Sequence, residues 1–462
     1  MIYNSIREGE GIMNYILDLL LKQIFTQPFL LLAIVVFIGY LAMKQTVGKA
    51  LIGAFKASIG IIVMGIGSGA LSANFGHLLT ALKNSTGLQG AGLNTYSTMT
   101  AGFEKMDAVL GEGVGTSWGL YTLLVAFIIN LILVALRKYT KIRAVYLTGN
   151  AMIVQCGITV YIVWRFLGTG MVPTILIASV VTALYWGICS TMLIKPTKVI
   201  TGGADLTVAH QQMFMDFVAY KVAPKIGNPE KDDIEKKKLP ASLNFLQDSV
   251  LATLLCMIIA TAVIMLVIGK DGVDALRGAD GFNNGTYKNS IIFMLWISIT
   301  LTADLWVLLA GVRMFVGELM MSFKGISEKL LPGAVAGVDC AALYGFAPKS
   351  VVLGFLCGAL GQIVGVIVLI ATGSPIILIP SFIPLFFDGA TVGIFANKFG
   401  GWKALVTICF CTGLIQIFGS ALAVAMLDLP WWQGVSDYAT IWVAITAIFK
   451  GIGAMLGIPV AC

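Results

Sequence analysis

The chain has 462 residues, of which 58% are hydrophobic and 11% are charged, and its formal net charge is +7. Because soluble globular proteins carry about 25% charged residues, this composition excludes an ordinary soluble fold. The positive charge does not indicate nucleic-acid binding, since the Lys and Arg residues cluster in short loops between apolar segments, as they do in integral membrane proteins.

Apolar windows of roughly 20 residues, the length that spans a hydrocarbon core, recur along the whole chain. We therefore predict an all-α polytopic membrane protein. Placing the basic loops in the cytoplasm puts the N-terminus outside and the C-terminus inside. The eleven predicted spans are 25–43, 51–72, 118–136, 145–167, 171–194, 248–269, 290–312, 350–373, 375–397, 402–427 and 439–460.

Three stretches, 74–117, 199–225 and 332–349, are too polar for ordinary spans and too apolar for loops. Non-helical backbone is tolerated at membrane depth only where it is buried in protein or lines a cavity, so these stretches predict re-entrant hairpins. The one sizeable hydrophilic loop, about 226–243, is too short to be a soluble domain. We expect a single integral membrane domain over 1–462, to which another chain supplies any soluble chemistry.

A faint internal repeat relates two parts of the sequence. The pattern G-x-L-x3-F-x2-(L/I)-x3-L occurs at 69–82 and again at 317–330. Downstream of each copy, "GLNTY" loosely matches "GVDCA", which sets Asn94 against Asp339. Broken segments at matching places in two inverted halves are typical of transporters that bind substrate at the bilayer midplane. Chance similarity between apolar sequences is the alternative.

Asp339 is the single charged residue of the apolar stretch "GAVAGVDCAALYGFAP". A charge at the centre of a spanning helix costs about 2.5–3.5 kcal/mol on insertion scales, so this carboxylate needs a partner. One interpretation is a structural pair with a Lys such as Lys349, or an interfacial position. The other is a substrate ligand, because a carboxylate accepts hydrogen bonds from two adjacent hydroxyls. The small residues around Asp339 leave room for a ligand and favour the second interpretation.

Two further polar groups lie in apolar surroundings. His210, Gln211 and Gln212 are consecutive and cannot share one helix face, so at least one of them packs structurally. Gln suits a polyol or a lactone because it both donates and accepts, whereas His210 alone is more often a satisfied buried histidine than a proton carrier. Asn150 and Gln155 are five positions apart in one span, roughly 140° around a helix, so one can face substrate and the other a neighbouring helix.

Tyr96 and Ser68 lie in Gly-rich breaks, where freed backbone N–H groups bind an anion or are simply capped. The eight Cys residues are scattered without a CxxC pair, so we predict no disulfide and no metal site. The sequence has no Walker loop, HExxH, GxSxG or dinucleotide fingerprint. We therefore predict no cofactor and no catalytic residue, and whether the chain takes part in an enzymatic reaction stays open.

Seven blocks along almost the whole chain resemble enzyme IIC, the membrane permease of the ascorbate-specific phosphoenolpyruvate-dependent phosphotransferase system. The resemblance implies an elevator-type homodimer of eleven spans in the bacterial cytoplasmic (inner) membrane, with a mobile core, two re-entrant hairpins and a scaffold domain at the dimer interface. It also implies that separate IIA and IIB proteins relay phosphate to L-ascorbate or a similar sugar acid, with no phosphoryl-carrying residue on this chain. The blocks are "LTGN", "YWGICSTMLIKPT", "HQQMF", "AYKVAP", "GVRMFVGEL", "PGAVAGVDCAALYGFAP" and "FGGWKALVTICF".

The resemblance also implies which positions contact the ligand, and three of these positions depart from the family's pattern. The family's ascorbate transporters carry His in place of Asn150, Gln in place of Val154 and Asp in place of Asn94. These departures leave the substrate open between ascorbate, a related sugar acid and a pentitol. The implied contacts are Tyr96, Asn150, Val154, Gln211, Asp339 and Ser68, with Asn94, Gln155, His210 and Gln212 as secondary candidates.

Two alternatives to a phosphotransferase permease remain at this point. One is an ion-coupled secondary transporter of a sugar acid or polyol, with Asp339 as the coupling carboxylate. The other is an intramembrane enzyme that uses His210 and Asp339.

Overall fold

The computed structural model describes residues 28–86, 91–93, 95–237, 249–279, 282, 286–329, 331–376, 378–380 and 382–461. Asn94 and the end of the hydrophilic loop, 238–243, therefore lie outside the described residues.

The described chain is mostly helical, and its strands are two to four residues long. The first part contains α1 Pro28–Ala42, α2 Val47–Thr86, β1 Ala91–Leu93, α3 Thr95–Leu110, α4 Val114–Ala135, α5 Arg137–Thr140, β2 Ala144–Tyr146, α6 Gly149–Leu167, α7 Met171–Ile200, β3 Leu206–Val208, α8 Met213–Ile226 and α9 Pro229–Asp232. The second part contains α10 Ser249–Arg277, α11 Ser290–Lys329, β4 Val335–Val338, a 3₁₀ helix Cys340–Phe346, α12 Pro348–Ala371, β5 Leu378–Ile379, α13 Phe382–Leu427, β6 Trp431–Trp432 and α14 Ile441–Met455.

Several helices are long and apolar enough to cross a membrane, in agreement with the prediction of a helical membrane protein. Two shorter apolar helices, Ala151–Leu167 and Ile441–Met455, accompany them. The count of eleven spans stays a prediction. The five candidate spans among the described residues are Ser117–Ala135, Met171–Ile200, Ser290–Phe315, Pro348–Ala371 and Pro384–Leu427.

The longest helix, α13, is divided by Gly401. The residue has φ 76°, in the left-handed region that favours glycine, and its backbone departs from helical geometry there. An added Cβ would lie 2.5 Å from Cβ of Asp232, so the site also has no room for a side chain. The break falls between the predicted spans 375–397 and 402–427.

The six strands form two small parallel sheets, which the prediction of an all-α protein does not include. The first sheet has the order β2–β4–β3, with Val145 paired to Ala336 and Thr207 paired to Gly337. The second has the order β5–β1–β6. Each of the three stretches predicted to form re-entrant hairpins contains one short strand, β1, β3 or β4, together with helical residues, and the hairpins themselves stay a prediction. Strands of this length have too few residues to show an alternating pattern, and for this reason the sheets themselves were not predicted.

Helices α2 and α11 pack antiparallel through glycines of α2. A Cβ on Gly60 would lie 2.7 Å from the amide nitrogen of Phe315, and one on Gly67 would lie 2.3 Å from the amide nitrogen of Leu308. The prediction of a Gly-rich break at Ser68 is wrong, because Ser68 lies inside the continuous helix α2. The glycines there permit close helix packing instead of interrupting the helix.

Glycines also allow α12 and α13 to pack closely against each other. A Cβ on Gly354 would lie 2.2 Å from the carbonyl oxygen of Gly389 and 2.9 Å from Cα of Gly393. The two backbones are therefore in direct contact at this crossing.

Candidate functional site

The carboxyl ends of the first sheet bring the predicted polar residues together. Val208 of β3 pairs with Val338 of β4, and Tyr146 of β2 pairs with Gly337, so the residues that follow these strands emerge at one edge. Parallel strands place their carboxyl ends side by side, as at the ligand sites of α/β proteins. We call the group at this edge the strand-end cluster. It consists of His210, Gln211, Gln212, Asp339 and Cys340.

Asp339 begins the 3₁₀ helix and faces His210. Its Oδ1 accepts a hydrogen bond from the amide of Ala341 at 2.9 Å, and its Oδ2 lies 3.9 Å from Nε2 of His210. The Asp339 side chain is 11% exposed. Lys349, the predicted structural partner, donates instead to the carbonyl oxygen of Glu235 at 3.1 Å. In the part of the chain that the structure describes, Asp339 forms its ion pair with His210.

Hydrogen bonds and a ring contact fix both the side chain and the backbone of His210. Its Nδ1 lies 2.5 Å from Oε1 of Gln212, and its ring stacks on Phe387 with 5.8 Å between the ring centroids. Its carbonyl oxygen accepts hydrogen bonds from the Tyr146 hydroxyl at 2.9 Å and from Nε2 of Gln155 at 3.3 Å. Because Gln212 offers an acceptor to Nδ1, Nδ1 carries a proton, and Nε2 is the ring nitrogen that faces Asp339.

Gln212 is fully buried and fixes the cluster to α13. Its Nε2 donates to Oγ1 of Thr391 at 2.9 Å and to the carbonyl oxygen of Phe387 at 3.4 Å. Its Oε1 also accepts from the amide of Gln211 at 3.0 Å. Gln212 is thus a structural member of the three consecutive polar residues, which confirms that at least one of them packs structurally. Gln211 is 3% exposed.

The remaining predicted positions lie on three helices, α2, α3 and α6. Gln155 is fully buried and contacts Trp186 of the neighbouring helix α7, which confirms that one of the Asn150 and Gln155 pair faces a neighbouring helix. Val154 is also fully buried. Asn150 is the second residue of α6 and Tyr96 is the second residue of α3, directly after the β1 break. The structure describes the backbone, but not the side chain, of Asn150, Tyr96 and Ser68.

A second polar network lies beyond the ends of β5 and β6, and the sequence analysis missed it. Asp388 is fully buried and accepts hydrogen bonds from Nε2 of Gln416 at 2.6 Å and from both the amide and the hydroxyl of Ser436, at 2.9 and 2.8 Å. The signal was present in the sequence, because Asp388 stands alone in the apolar segment "PLFFDGATVG" just as Asp339 does in its own.

Asp437 joins the two sheets. It follows β6, yet its carboxylate accepts hydrogen bonds from the amides of Phe214 and Met215 at 2.8 and 3.1 Å, at the start of the helix that follows β3. The Tyr185 hydroxyl donates to the same carboxylate. The carboxyl ends of β3 and β6 therefore meet, and the strand-end cluster lies beside the loop that follows the second sheet.

Comparison with known proteins assigns the chain to a family. The sequence model of the family described as "PTS system sugar-specific permease component" (EIIC-GAT) matches residues 23–452. A curated protein of Mycoplasma pneumoniae, named "Ascorbate-specific PTS system EIIC component", is 30% identical over 444 residues. The match covers 88% of this chain and 66% of that relative, so the chain spans just under two thirds of the relative's length.

Proposed function

The chain belongs to the family of sugar-specific permease components of the phosphotransferase system, and from this premise we propose that it translocates L-ascorbate or a related sugar acid. The curated relative is named for ascorbate, which supports a sugar acid as the substrate class. Separate IIB and IIA proteins are proposed to phosphorylate the sugar at the cytoplasmic face. The domain 1–462 itself is proposed to act as the membrane component.

The observation that carries the proposal is the position of Asp339. Its carboxylate is mostly buried, and the basic side chain with which it pairs among the described residues is that of His210, 3.9 Å away. One oxygen is occupied by the amide of Ala341 and the other points toward His210. A carboxylate oxygen beside an imidazole can accept from one sugar hydroxyl while the imidazole nitrogen forms a hydrogen bond with the next.

The other cluster residues are proposed to have two kinds of role. Gln155 and Gln212 position His210, because their side-chain hydrogen bonds are directed to it and to neighbouring helices. The proposed sugar contacts, besides His210 and Asp339, are Tyr96, Asn150, Val154, Gln211 and Ser68, with Asn94 as a further candidate.

Two inverted repeats with re-entrant hairpins are proposed from the matching order of elements. In each half a 40-residue helix, α2 or α11, leads into the central strand of a three-stranded parallel sheet. The first residue after that strand is Asn94 in one half and Asp339 in the other, as the sequence repeat predicts. The first and last strands of the two sheets also correspond, β2 with β5 and β3 with β6.

The charges at the amino ends of the two sheets support opposite orientations. The segment 137–143, before β2, has four basic residues and no acidic one. Before β6, Asp428 pairs with Lys105 at 2.9 Å, and the hydrogen bond and charge of Lys105 lower the pKa of Asp428. The positive-inside rule places segment 137–143 in the cytoplasm. Nε of Arg143 donates to the carbonyl oxygen of Gly333 after α11, and Gly53 near the start of α2 lies beside Glu318 of α11, so we propose that α1 starts on the opposite, outer side.

The C-terminus is proposed to lie outside as well, unlike the cytoplasmic position that eleven alternating spans predict. The backbones of Ala461 and Arg165 are hydrogen bonded at 2.9 Å, and the charge of Arg165 acts on Asp428. We therefore propose that residue 461 lies near Asp428, at the end of the molecule opposite segment 137–143. On this interpretation β6 and α14 form a hairpin, and 439–460 is not a full span.

The homodimer and the elevator movement are also proposals, and they rest on the family resemblance. In an elevator, the helices and hairpins that carry the site move as one body. The hydrogen bonds of Gln212 to α13 and of Asp437 to α8 would keep the two sheets together during such a movement.

The experiment that tests the proposed function is direct binding of a panel of sugar acids and pentitols to the purified protein. We expect L-ascorbate or a close sugar acid to bind, and Asp339→Asn to weaken that binding. Tight binding of a ligand without vicinal hydroxyls would contradict the proposed role of the site.

A further inference from the structure

The strand-end cluster contains a set of side chains that suits a transition-metal ion. One nitrogen of His210, one carboxylate oxygen of Asp339 and Sγ of Cys340 all lie within 4.8 Å of one another. We propose that these three side chains bind a divalent cation of the zinc class. The sequence analysis predicted no metal site, because the Cys and His residues are 130 positions apart and show no ligand spacing.

Backbone register creates the convergence. Val208 of β3 is paired with Val338 of β4, and the amide of Ala209 donates to the carbonyl oxygen of Val338 at 2.7 Å, so His210 follows β3 beside the residues that follow β4. The two ligand-bearing residues after β4 thus face the ligand-bearing residue after β3 across a single strand spacing, about 4.8 Å. The two strands that precede these residues, β3 and β4, are buried and paired with each other, which holds the residues that follow them close together.

The distances are near those of a tetrahedral site. Nε2 of His210 is 3.9 Å from Oδ2 of Asp339, and Sγ of Cys340 is 3.6 Å from Oδ1 of the same carboxylate. Zinc–nitrogen and zinc–oxygen bonds of about 2.0–2.2 Å and a zinc–sulfur bond of about 2.3 Å put tetrahedral ligand atoms roughly 3.3–3.7 Å apart. If the longest distance between two of the three ligand atoms shortens by about 1 Å, all three can bind the same ion.

The surroundings of the three ligands match those of metal sites. Zinc-binding histidines almost always donate their second ring N–H to an acceptor that fixes the tautomer. Gln212 is that acceptor, since its Oε1 lies 2.5 Å from Nδ1 of His210, which leaves Nε2 for an ion. The Tyr344 hydroxyl lies 3.6 Å from Sγ of Cys340 and donates to the carbonyl oxygen of Phe387 at 3.3 Å, so a thiolate at Cys340 would compete for this proton.

Charge balance also favours a divalent ion. A neutral imidazole, a carboxylate and a thiolate carry two negative charges, which one divalent cation neutralises. The ion would take the place of the thiol proton, so binding should release about one proton for each ion bound. Three protein ligands leave the fourth position open to water or another oxygen. Because the ion would occupy Asp339, metal and sugar are expected to exclude each other.

The test titrates the purified full chain with Co²⁺ and Zn²⁺ in the absence of sugar, so that its failure leaves the transport proposal untouched. We expect Co²⁺ to produce a thiolate-to-cobalt charge-transfer band, and Zn²⁺ to bind with release of about one proton. Cys340→Ser should remove the band and weaken Zn²⁺ binding by about 100-fold or more, and Gln212→Leu should weaken it by about 10–100-fold.

Cys411→Ser is the matched control, because Cys411 is exposed on α13 and is not part of the cluster. It should keep the band and the affinity. If Cys340→Ser unfolds, His210→Gln provides the second variant, since it keeps the thiol and removes the imidazole, and it should lose Zn²⁺ affinity to a similar degree. A cobalt complex without the thiolate band, or Zn²⁺ affinity unchanged in Cys340→Ser or His210→Gln, overturns the proposal.

Discussion

Replacing Asp339 by Asn separates a sugar-binding carboxylate from a structural one. Asn keeps the volume and an oxygen that can still accept from the amide of Ala341, and Asn and Asp are equally good helix caps. Lys349 contacts the carbonyl of Glu235, so the substitution leaves no lysine unpaired at this site. The fold is therefore expected to lose less than about 1 kcal/mol of stability.

Sugar binding by Asp339→Asn should fall much further than stability. Hydrogen bonds to charged groups contribute about 1.5–3 kcal/mol, which corresponds to a roughly 10- to 150-fold weaker affinity. The assay measures ligand affinity and thermal stability of the same detergent-solubilised protein. Asp304→Asn is the matched control, because Asp304 lies on α11 and accepts a hydrogen bond from Asn74 at 2.7 Å. Normal affinity together with a large fall in melting temperature would refute the reasoning.

Three further substitutions test other parts of the account. The double substitution Asn150→His with Val154→Gln introduces the polar residues that the resemblance implies, and we expect it to strengthen L-ascorbate binding by about 1–3 kcal/mol; unchanged or weaker binding would mean that the pocket is built for another ligand or that these positions do not contact it. Gln212→Leu leaves the Nδ1–H of the partly buried His210 unpaired and should weaken sugar binding by about 1–3 kcal/mol, while Gln212→Glu, which keeps an acceptor, should be affected less; equal affinities would exclude a positioning role. Gly354→Ala should lower thermal stability by about 1–3 kcal/mol through overpacking, and a variant as stable as wild type would show that the close approach to α13 is not required.

The membrane class and the position of the site could be predicted because their signals are local. Spans follow from runs of apolar residues, and Asp339 is conspicuous because charge is costly in such a run. The same reasoning applied to Asp388 and Asp437 would have located the second network. The hydrogen bonds of these residues could not be predicted, since Asp437 caps a helix more than 200 positions away in the sequence.

The two sheets could not be predicted from the sequence for a physical reason. Strands such as Trp431–Trp432 are shorter than one period of any pattern, and their pairing joins segments far apart in the chain. The glycines near Ser68 show the opposite difficulty. A glycine that breaks a helix and a glycine that allows two helices to touch look alike in sequence, and only the partner helix α11 decides between them.

Coupling to phosphorylation is measured with sealed membrane vesicles that contain this protein and are supplied with labelled L-ascorbate. With phosphoenolpyruvate, a phosphorylatable IIB, IIA and the proteins that pass phosphate to IIA inside, we predict accumulation of a phosphorylated product. Without IIB, we predict no accumulation, even under a proton or sodium gradient. Accumulation of the free sugar acid against its own gradient in vesicles that lack IIB would contradict the account and favour an ion-coupled transporter.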